Sequence, residues 1–520
     1  MAILCSGRLE IIFESDHGPV VGGVVNAGAA LGELALLTAS TRSASIRATR
    51  DSELLVVGRE IFERLLEREP SLAGSVVRNL GRRLQASVDL DLPQARTSVL
   101  VVVSLTVSAT TMTRVATGLA DALRAAGRTI VSGRPPDSES EEVQLTFARA
   151  LHQWEAQNEY TVLVVSDPAI DRDWFEFCLR SADRVLLLDS GGSLPQWADN
   201  HELGQYERVF VDHRAAIPGR SGHSDQPDPQ VRHYVDSGTF EDDLARLSRR
   251  VSGRAIGLVL SGGGARGLAH IGVIERLLDA EIPVDVVGGC SMGSFVGAML
   301  GLGWDTARMI DTCRRELVER RPFNDYTIPR VSLIRARKAR SMISRTYGEV
   351  TFEQLRRPTF VVSADLGSGE LVVHSEGPIG IAVGASMAIP GLVPPVSHEG
   401  RNLVDGGLLN NLPVDVMRER FSGRTIAVDV LRRSGSGGSS QRPARRGTTV
   451  PSIFDTMSRA TFLGSQQRAI ANRALADVVI EPRVSHLNLF DFARIDEALD
   501  AGRRAADAAL DDGLIDVVMS

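Results

Sequence analysis

The clearest pattern of apolar and polar positions lies between residues 255 and 300, where apolar runs are separated by glycine-rich loops. An apolar run at 255–260 (AIGLVL) has the length of a buried parallel strand, and the glycine-rich stretch SGGGARG follows it. A helical stretch leads to a second apolar run at 284–287 (VDVV), and GGCSMG then opens an apolar helix at 294–300. The pattern predicts two strand–loop–helix units, in which glycines leave backbone N–H groups free to face an anion.

Upstream of this stretch the pattern changes twice. Residues 3–57 alternate short β-rich runs with turns, and helical patterns follow at 60–69 and 72–86. This part predicts a small β-barrel or jelly roll with C-terminal helices. Between residues 98 and 189 apolar strands alternate with helices, which predicts a parallel sheet. Its first strand–helix turn has no glycine cluster, so we expect no phosphate site there.

Downstream, the pattern predicts a hairpin over 359–375 and an apolar helix of small residues over 379–388. Asp405 then ends a strand, directly before two glycines. Amphipathic helices are predicted at 453–474 and 495–510.

A serine in a tight turn carries the sharpest chemical signal. Gly289, Ser291 and Gly293 fit the G-x-S-x-G nucleophile elbow, in which a strand-to-helix turn lifts the serine hydroxyl out of the sheet. Glycines are needed on both sides because the turn leaves no room for side chains there. The strand before the motif and the helix after it supply the required context, so we predict that Ser291 is a nucleophile.

The glycine loop permits a second interpretation. Gly262, Gly264 and Gly267 spell G-x-G-x-x-G after a strand and before a helix, as in dinucleotide-binding folds. In those folds an acidic residue ends the second strand and binds the ribose, whereas Asp285 begins that strand here. The elbow occupies the strand end, which favours a hydrolase over a dinucleotide site.

A serine nucleophile needs a base that accepts its proton. In α/β-hydrolases an acid and then a histidine follow the serine, but no histidine is well placed here. His398 precedes Asp405, and His486 lies in a proline-flanked stretch. His270 follows the glycine loop, where we expect it to pack or to form a hydrogen bond. Asp405 itself is the better candidate base.

Composition excludes several classes of protein. The 520 residues have room for about three domains, and the net charge of -7 offers no basic footprint for nucleic acid. The four cysteines form no C-x-x-C pair, which favours reduced thiols and a cytoplasmic protein. No apolar run reaches the roughly 20 residues of a spanning helix, so any membrane contact should be peripheral, at the inner membrane surface.

A basic segment between residues 335 and 345 bears on that contact. It contains five cations: Arg335, Arg337, Lys338, Arg340 and Arg345. They could meet phospholipid head groups, although the pattern favours a plain solvated helix face.

Four motifs, in this order, resemble the patatin-like phospholipase family: SGGGARG, GCSMG, ASMAIPG at 385–391 and DGG at 405–407. The resemblance covers residues 254–430. With the regions before it, the chain is similar to the bacterial branch related to neuropathy target esterase. The resemblance implies hydrolysis of acyl esters in phospholipids or lysophospholipids by a Ser-Asp dyad, without a metal or another cofactor.

The resemblance assigns a role to each motif. Ser291 would be the nucleophile and Asp405 its base, with burial raising the pKa of the carboxyl from about 3.9. The N–H groups of one loop would stabilise the oxyanion: Gly262, Gly263, Gly264, Arg266 and Gly267. Four further glycines complete the motifs: Gly289, Gly293, Gly406 and Gly407.

Residues 31–44 resemble the phosphate-binding cassette of cyclic-nucleotide-binding domains. Glu33 could accept a ribose hydroxyl, and Arg42 could neutralise the cyclic phosphate. Thr41 stands where that family usually has proline. Residues 3–10 look like a strand from the middle of such a domain, so we expect its opening strands and helix to be missing. A scaffold or docking module is the alternative to nucleotide binding.

These interpretations together predict a multidomain protein. It consists of a partial β-barrel domain of the cyclic-nucleotide-binding type, an α/β connecting domain, an α/β patatin-like domain with a parallel-rich sheet, a disordered loop and a C-terminal helical part of the catalytic domain. The predicted boundaries are 1–90, 96–250, 251–432, 433–448 and 449–520.

The predicted function is that of a carboxylic ester hydrolase of the lysophospholipase or phospholipase type. The alternative is a cyclic-nucleotide-responsive regulatory or scaffold protein with an idle hydrolase fold. The intact motifs favour the enzyme.

Overall fold

A computed structural model describes residues 2–15, 18–26, 29–32, 44–68, 98–135, 143–191, 193–200, 206–212, 231–431 and 464–519. These residues fall into two compact units, one made of residues up to 248 and the other of residues from 249 on. The predicted helix at 72–86, the predicted loop at 433–448 and the first part of the predicted helix at 453–474 lie outside the described residues.

The first unit begins with an antiparallel sheet around one long strand. Strand β1 (Ala2–Ser15) pairs with β2 (Gly18–Asn26), β3 (Ala30–Leu31) and β4 (Ser45–Val56). Helix α1 (Arg59–Arg68) follows, close to the predicted bounds. Aliphatic side chains form a small core on one face of the sheet: Leu4, Leu9, Val25 and Leu31. The predicted β-rich class of this region is confirmed.

The rest of the first unit is a six-stranded parallel sheet in the order β10-β9-β8-β5-β7-β6. Its central strand is buried throughout 99–103, as expected when helices cover both faces. The strands are β5 (Ser98–Ser104), β6 (Thr129–Ser132), β7 (Tyr160–Val165), β8 (Arg184–Asp189), β9 (Glu207–Val211) and β10 (Arg232–Val235). The helices are α2 (Ala109–Leu123), α3 (Val143–Gln157), α4 (Arg172–Ser181) and α5 (Phe240–Val251).

The second unit is built on an eight-stranded mixed sheet. Its order is β15-β16-β13-β12-β11-β17-β18, with β14 paired to β13. The strands are β11 (Ile256–Leu260), β12 (Val286–Cys290), β13 (Thr359–Asp365), β14 (Leu371–His374), β15 (Val396–His398), β16 (Arg401–Asp405), β17 (Arg424–Val428) and β18 (Val478–Ile480). Five neighbouring strands are parallel, in the order β13, β12, β11, β17 and β18. Strands β14 and β16 each pair antiparallel with β13, and β15 pairs antiparallel with β16. The predicted parallel-rich sheet and the predicted hairpin are confirmed.

Helices cover both faces of this sheet. They are α6 (Ala269–Asp279), α7 (Met292–Gly301), α8 (Thr306–Cys313), α9 (Arg337–Tyr347), α10 (Ile379–Ser386), α11 (Val414–Arg420), α12 (Gln466–Leu475), α13 (Ile495–Asp511) and α14 (Asp516–Met519). The larger apolar core lies between the sheet and α6, α7 and α13, and a smaller one lies under α11. None of the helices within the described ranges is long and apolar enough to cross a bilayer.

The second strand of this unit differs from its predicted bounds. The pattern placed it at 284–287 and treated the following glycines as a turn, whereas β12 continues to Cys290. The reason is pairing on both sides, since β11 bonds to Val286–Gly289 and β13 to Val287–Cys290. The strand therefore carries the chain directly to Ser291.

Helix α13 packs very closely on α6, the helix that follows the glycine loop. A side chain at Gly272 of α6 would meet the carbonyl oxygen of Leu499 at 2.1 Å, and one at Gly502 of α13 would meet that of Ala269 at 2.0 Å. This close approach requires glycine at both positions. It fixes α13 against the catalytic half of the sheet.

Candidate active site

Three segments far apart in sequence meet at one edge of the sheet. Strand β11 leads into the glycine loop, and its neighbour β12 leads into α7. Strand β13 lies beside β12, with Cys290 opposite Val362, and β16 lies beside β13, with Asp405 opposite Ser363. The registers therefore place the end of β16 level with the end of β12.

The turn between β12 and α7 has the strained geometry of a nucleophile elbow. Ser291 has φ of 52°, in the left-handed region that disfavours side chains. A Cβ on Gly293 would lie 2.2 Å from the carbonyl oxygen of Leu260, and one on Gly289 would lie 2.6 Å from the backbone of Gly293. Both glycines of the motif are thus required by close contact with backbone.

The hydroxyl of Ser291 points at a carboxylate. Its Oγ donates to Oδ2 of Asp405 over 2.7 Å, within the range for a nucleophile and its base. Asp405 is fully buried, and Ser291 keeps only 5% of its surface exposed. Although β13 lies between their strands, the two side chains contact each other directly through this hydrogen bond.

Burial and hydrogen bonds act in opposite directions on the carboxyl of Asp405. Burial raises its pKa to about 6, while hydrogen bonds from Ser291, from the Gly407 N–H (2.8 Å to Oδ1) and from the Cys290 thiol (3.7 Å to Oδ1) oppose that rise. The next residue, Gly406, leaves no space for a side chain, since a Cβ there would lie 2.4 Å from the Val362 carbonyl oxygen. The carboxylate is held in place and remains basic.

Two further serines hold the elbow. The Ser386 hydroxyl accepts a hydrogen bond from the Ser291 N–H at 2.8 Å and donates to the Val362 carbonyl at 2.7 Å. The Ser294 hydroxyl donates to the Ser291 carbonyl at 2.6 Å. Sequence reasoning named no role for Ser386, although the ASMAIPG motif that contains it was the available signal.

The glycine loop lies against the nucleophile. A Cβ on Gly262 would come within 2.9 Å of the Ser291 Cβ. The Gly262 N–H donates to the Asn411 carbonyl at 3.3 Å, and the Arg266 N–H donates to the Gly263 carbonyl at 3.2 Å. For the N–H groups of Gly263 and Gly264, no protein acceptor is found in the described part of the chain.

Contacts with other segments hold the loop in position. The Arg266 side chain donates from Nε to the Leu487 carbonyl at 2.8 Å, and the Ala265 N–H donates to the Leu489 carbonyl at 2.8 Å. Gly264 has φ of 56°, and a Cβ there would lie 2.4 Å from that same Leu489 oxygen. A Cβ on Gly267 would lie 2.5 Å from Met292. The loop is thus fixed between the elbow and the segment 487–489.

Each candidate histidine is engaged elsewhere. His270 is buried and donates from Nε2 to the Ser261 carbonyl at 2.8 Å, and burial lowers its pKa to about 4. His398 lies 3.9 Å from Glu399, and His486 lies 3.5 Å from Glu497.

Asp285, the residue that argued against a dinucleotide site, is also structural. Its carboxylate binds the Arg249 guanidinium and accepts the Ile256 N–H at 3.0 Å.

Two predicted residues cannot be placed. Glu33 and Arg42, the candidates for cyclic-nucleotide binding, lie outside the described residues. Across the ranges that the structure does describe, no group of three His, Cys, Asp or Glu residues is arranged to hold a metal ion.

Comparison with known proteins finds matches in both units. Residues 258–418 match the family model of patatin-like phospholipases, and residues 1–69 match that of cyclic nucleotide-binding domains. An uncharacterized NTE family protein of Mycobacterium tuberculosis is 34% identical over 528 residues, covering 98% of this chain and 88% of its own. The chain belongs to the NTE family. The resemblance predicted from the sequence is thereby confirmed, as are its fold class and its class of enzyme, a lipid ester hydrolase.

More distant members of the NTE family are much longer than this chain. The lysophospholipase nte1 of Aspergillus oryzae is 28% identical, over 82% of this chain and 34% of its own length. The patatin-like phospholipase domain-containing protein 6 of Pongo abelii is 26% identical, over 96% of this chain and 42% of its own.

Proposed function

We propose that this protein is a serine acyl hydrolase that cleaves fatty-acyl esters of lysophospholipids or phospholipids through Ser291 and Asp405. The 2.7 Å hydrogen bond from the serine hydroxyl to a buried carboxylate carries the proposal. The family model at 258–418 and the names of the lysophospholipase relatives support a lipid ester as the substrate class.

In the first half of the reaction, Ser291 Oγ attacks the acyl carbonyl carbon while Asp405 accepts the hydroxyl proton. The tetrahedral intermediate collapses with cleavage of the ester C–O bond, and Asp405 returns the proton to the leaving alcohol. A pKa of about 6 suits this task, because the carboxylate is ionised at neutral pH and is still more basic than an ordinary aspartate.

In the second half, a water molecule attacks the acyl-enzyme. Asp405 takes one proton from that water and then gives it to Ser291 Oγ as the acyl–serine bond breaks, which releases the fatty acid and restores the dyad. The same carboxyl therefore acts alternately as base and as acid.

Negative charge on the carbonyl oxygen needs donors that are already in place. The N–H groups of Gly263 and Gly264 are the ones we assign, because those of Gly262 and Arg266 are bonded within the protein. The positive end of α7, which begins at Met292, adds favourable electrostatics at the same place. Loss of one such donor costs about 10²–10³-fold in turnover.

A substrate panel tests the proposal. Lysophospholipids, diacyl phospholipids, triacylglycerols and short aryl esters would be assayed with the wild type, Ser291→Ala and Asp405→Asn. Ser368→Ala and Asp512→Asn serve as controls, since both residues are exposed and distant in sequence from the motifs. We expect release of fatty acid from lysophospholipid, covalent labelling of Ser291 by a fluorophosphonate, and loss of hydrolysis in the two dyad variants alone. Hydrolysis retained in Ser291→Ala would refute the mechanism.

The match of residues 1–69 to cyclic nucleotide-binding domains favours a second candidate, a regulatory or scaffold protein responsive to cyclic nucleotide. It predicts that cyclic AMP or cyclic GMP raises the melting temperature while no ester in the panel is cleaved. If a nucleotide changes the rate of hydrolysis instead, the two functions belong to one regulated enzyme.

A further inference from the structure

Three large apolar side chains stand in solvent on one loop of the second unit. In the segment before α9, Tyr326 is 63% exposed, Ile328 is 82% exposed and Val331 is 71% exposed. Single exposed apolar residues are ordinary, but three within six positions make this loop unusually apolar for a surface segment. The adjacent bridge between Tyr326 and Ile334 closes the segment into a defined loop.

Cationic residues accompany these apolar positions in the sequence. From 326 to 348 the sequence has six cationic residues and no acidic one. Five of the six are exposed and pair with no carboxylate within the described residues: Arg330, Arg335, Arg337, Lys338 and Arg340. The sixth, Arg345, binds Glu316 at 2.7 Å and is not counted here. Lys338 and Arg340 bond only neutral oxygens, those of the Asn324 side chain and of the Arg335 carbonyl. Together with the three apolar residues, these five cations define what we call the 326–340 surface.

The carboxylate of Asp325, just before this surface in the sequence, accepts hydrogen bonds from backbone. Oδ2 of Asp325 accepts the N–H of Arg337 at 2.7 Å and that of Lys338 at 3.3 Å, and so caps the start of α9. Within the described residues, Asp325 forms no ion pair with the cationic side chains of the 326–340 surface.

Both ends of the loop are attached to segments that hold the candidate active site. On one side Phe323 stacks on Phe492, with ring centroids 5.7 Å apart, next to the 487–489 segment bound by the glycine loop. On the other side the N–H groups of Leu333 and Ile334 donate to the carbonyls of Gly391 and Leu392 at 2.9 and 3.1 Å. Both carbonyls lie in segment 388–392, and the first residue of that segment, Ala388, accepts the N–H of Asp405 with its carbonyl at 2.9 Å. A partner bound to the loop is therefore held in fixed relation to the dyad.

The charge of the whole chain narrows the choice of partner. With a net charge of -7 the protein as a whole is repelled by an anionic surface, so a local cationic strip beside an apolar tip is a specific feature. Apolar side chains that enter the acyl boundary, flanked by Arg and Lys that meet anionic head groups, are typical of an interfacial membrane contact.

We propose that the 326–340 surface docks this protein on anionic phospholipid bilayers and thereby presents the active site to its lipid substrate. The inference rests on the proposed function for its biological purpose. The binding itself is independent of catalysis and can be measured without it.

The test is a vesicle cosedimentation assay in a Ser291→Ala background, which prevents consumption of the lipid. Vesicles of phosphatidylcholine are compared with vesicles of equal parts phosphatidylcholine and phosphatidylglycerol. A charge variant combines Arg330→Gln, Arg335→Gln and Arg337→Gln. Its matched control removes three exposed arginines elsewhere in the same unit: Arg254→Gln, Arg483→Gln and Arg504→Gln.

A second pair of variants tests the apolar tip. Ile328→Ser with Val331→Ser is compared with Ile170→Ser combined with Ile470→Ser, two isoleucines that are 82% and 65% exposed on other surfaces. All of these changes lie on the surface, so the melting temperature should not move. In chains that retain Ser291, hydrolysis of a monomeric short aryl ester should also be unchanged.

We expect the Ser291→Ala protein with an unchanged 326–340 surface to bind the mixed vesicles and not those of pure phosphatidylcholine. Its affinity for the mixed vesicles should fall on the order of 10²-fold in the charge variant and about tenfold in the tip variant. Raising the salt from about 0.1 M to about 1 M should reproduce the effect of the charge variant, because the screening length shrinks from about 10 Å to about 3 Å.

Three results would overturn the proposal: equal binding to pure phosphatidylcholine, unchanged binding of the charge variant, or an equal loss in its control. Binding to polyglutamate without binding to vesicles would also overturn it and would indicate an acidic protein partner. Vesicle binding with no hydrolysis of any ester in wild type would keep the docking surface and refute the proposed function alone.

Discussion

In each of the two units a parallel strand is followed by a serine at the N-cap position of the next helix, and the two serines have different roles. Ser108, after β5, has ordinary extended backbone (φ -69°), and its hydroxyl accepts the N–H of Thr111 as a helix cap. Ser291, after β12, has φ of 52° and no capping contact with α7. Its hydroxyl is directed instead to Asp405.

The two serines differ in the backbone conformation of the turn that precedes each helix. Both sheets bury the middle of their central strands, so burial alone does not distinguish them. At β12 two glycines allow the helix to start against the neighbouring strand. Ser291 occupies the N-cap position with strained backbone, and its hydroxyl makes no capping hydrogen bond. A hydroxyl that stabilises a helix in one unit becomes available as a nucleophile in the other.

Exchange of each serine for alanine gives the largest contrast. Ser291→Ala should lower kcat on a short ester by at least about 10⁴-fold with little change in stability, because the nucleophile is lost. Ser108→Ala should leave kcat unchanged and lower the free energy of unfolding by about 1 kcal/mol, because a cap is lost. Ester hydrolysis and chemical denaturation of both variants measure this. A large loss of activity in Ser108→Ala would contradict the assignment of Ser108 to helix capping alone.

Gly293→Ala should break the elbow itself. The added methyl would lie 2.2 Å from the Leu260 carbonyl oxygen, which is backbone and cannot move aside cheaply. We expect about 10²–10³-fold lower kcat and about 1–3 kcal/mol lower stability. Gly384→Ala in α10 is the control, since no atom lies within 4 Å of its Cβ position. The control should be neutral or slightly stabilising. Wild-type activity in Gly293→Ala would show that the elbow tolerates a side chain.

Ser386→Ala should have a moderate effect. It leaves the buried N–H of Ser291 without its acceptor, at a cost of about 1–3 kcal/mol in the free energy of unfolding. Because the elbow is then less firmly held, kcat should fall about tenfold to about 10²-fold while KM changes little. Steady-state kinetics beside thermal unfolding would separate these effects. Ser386→Thr keeps the hydroxyl and should restore much of the activity, whereas equal loss in both variants would indicate a packing defect.

The smallest expected effect is on pH dependence. Because Asp405 must be ionised to accept a proton, kcat/KM on an uncharged ester should be half-maximal near pH 6. It should reach a plateau above about pH 7 and be about tenfold lower at about pH 5. A folded-state pKa above the unfolded value means that the folded state binds this proton more tightly. Its stabilising contribution is therefore full at low pH and is lost as the pH rises from about 4 through about 6.

In Asp405→Asn the free energy of unfolding should no longer fall over this pH range. At neutral pH it should exceed that of the wild type by at most about 3 kcal/mol. Denaturant unfolding of wild type and variant across this pH range is the measurement. A wild-type rate that does not change between about pH 5 and about pH 7 would contradict the assignment of Asp405 as the base.

Local sequence was enough for the elements and motifs whose cause is local. Apolar runs predicted the parallel strands, and the spacing of Gly289, Ser291 and Gly293 predicted the turn, because glycine content and the adjacent apolar pattern act within a few residues. The end of β12 was predicted three residues too early, since its length depends on pairing with two other strands.

Only the tertiary structure decided which distant groups meet. Ser291 and Asp405 are 114 positions apart, and they touch because β16 joins the sheet antiparallel to β13 with Asp405 level with the elbow. Spacing alone left histidines in competition with that carboxylate, and it gave no sign that Ser386 would hold the elbow or that Ile328 would stand in solvent. Sequence determines which residues are able to do chemistry, whereas strand register determines distance, burial and pKa, because these depend on contacts between segments that the chain brings together only on folding.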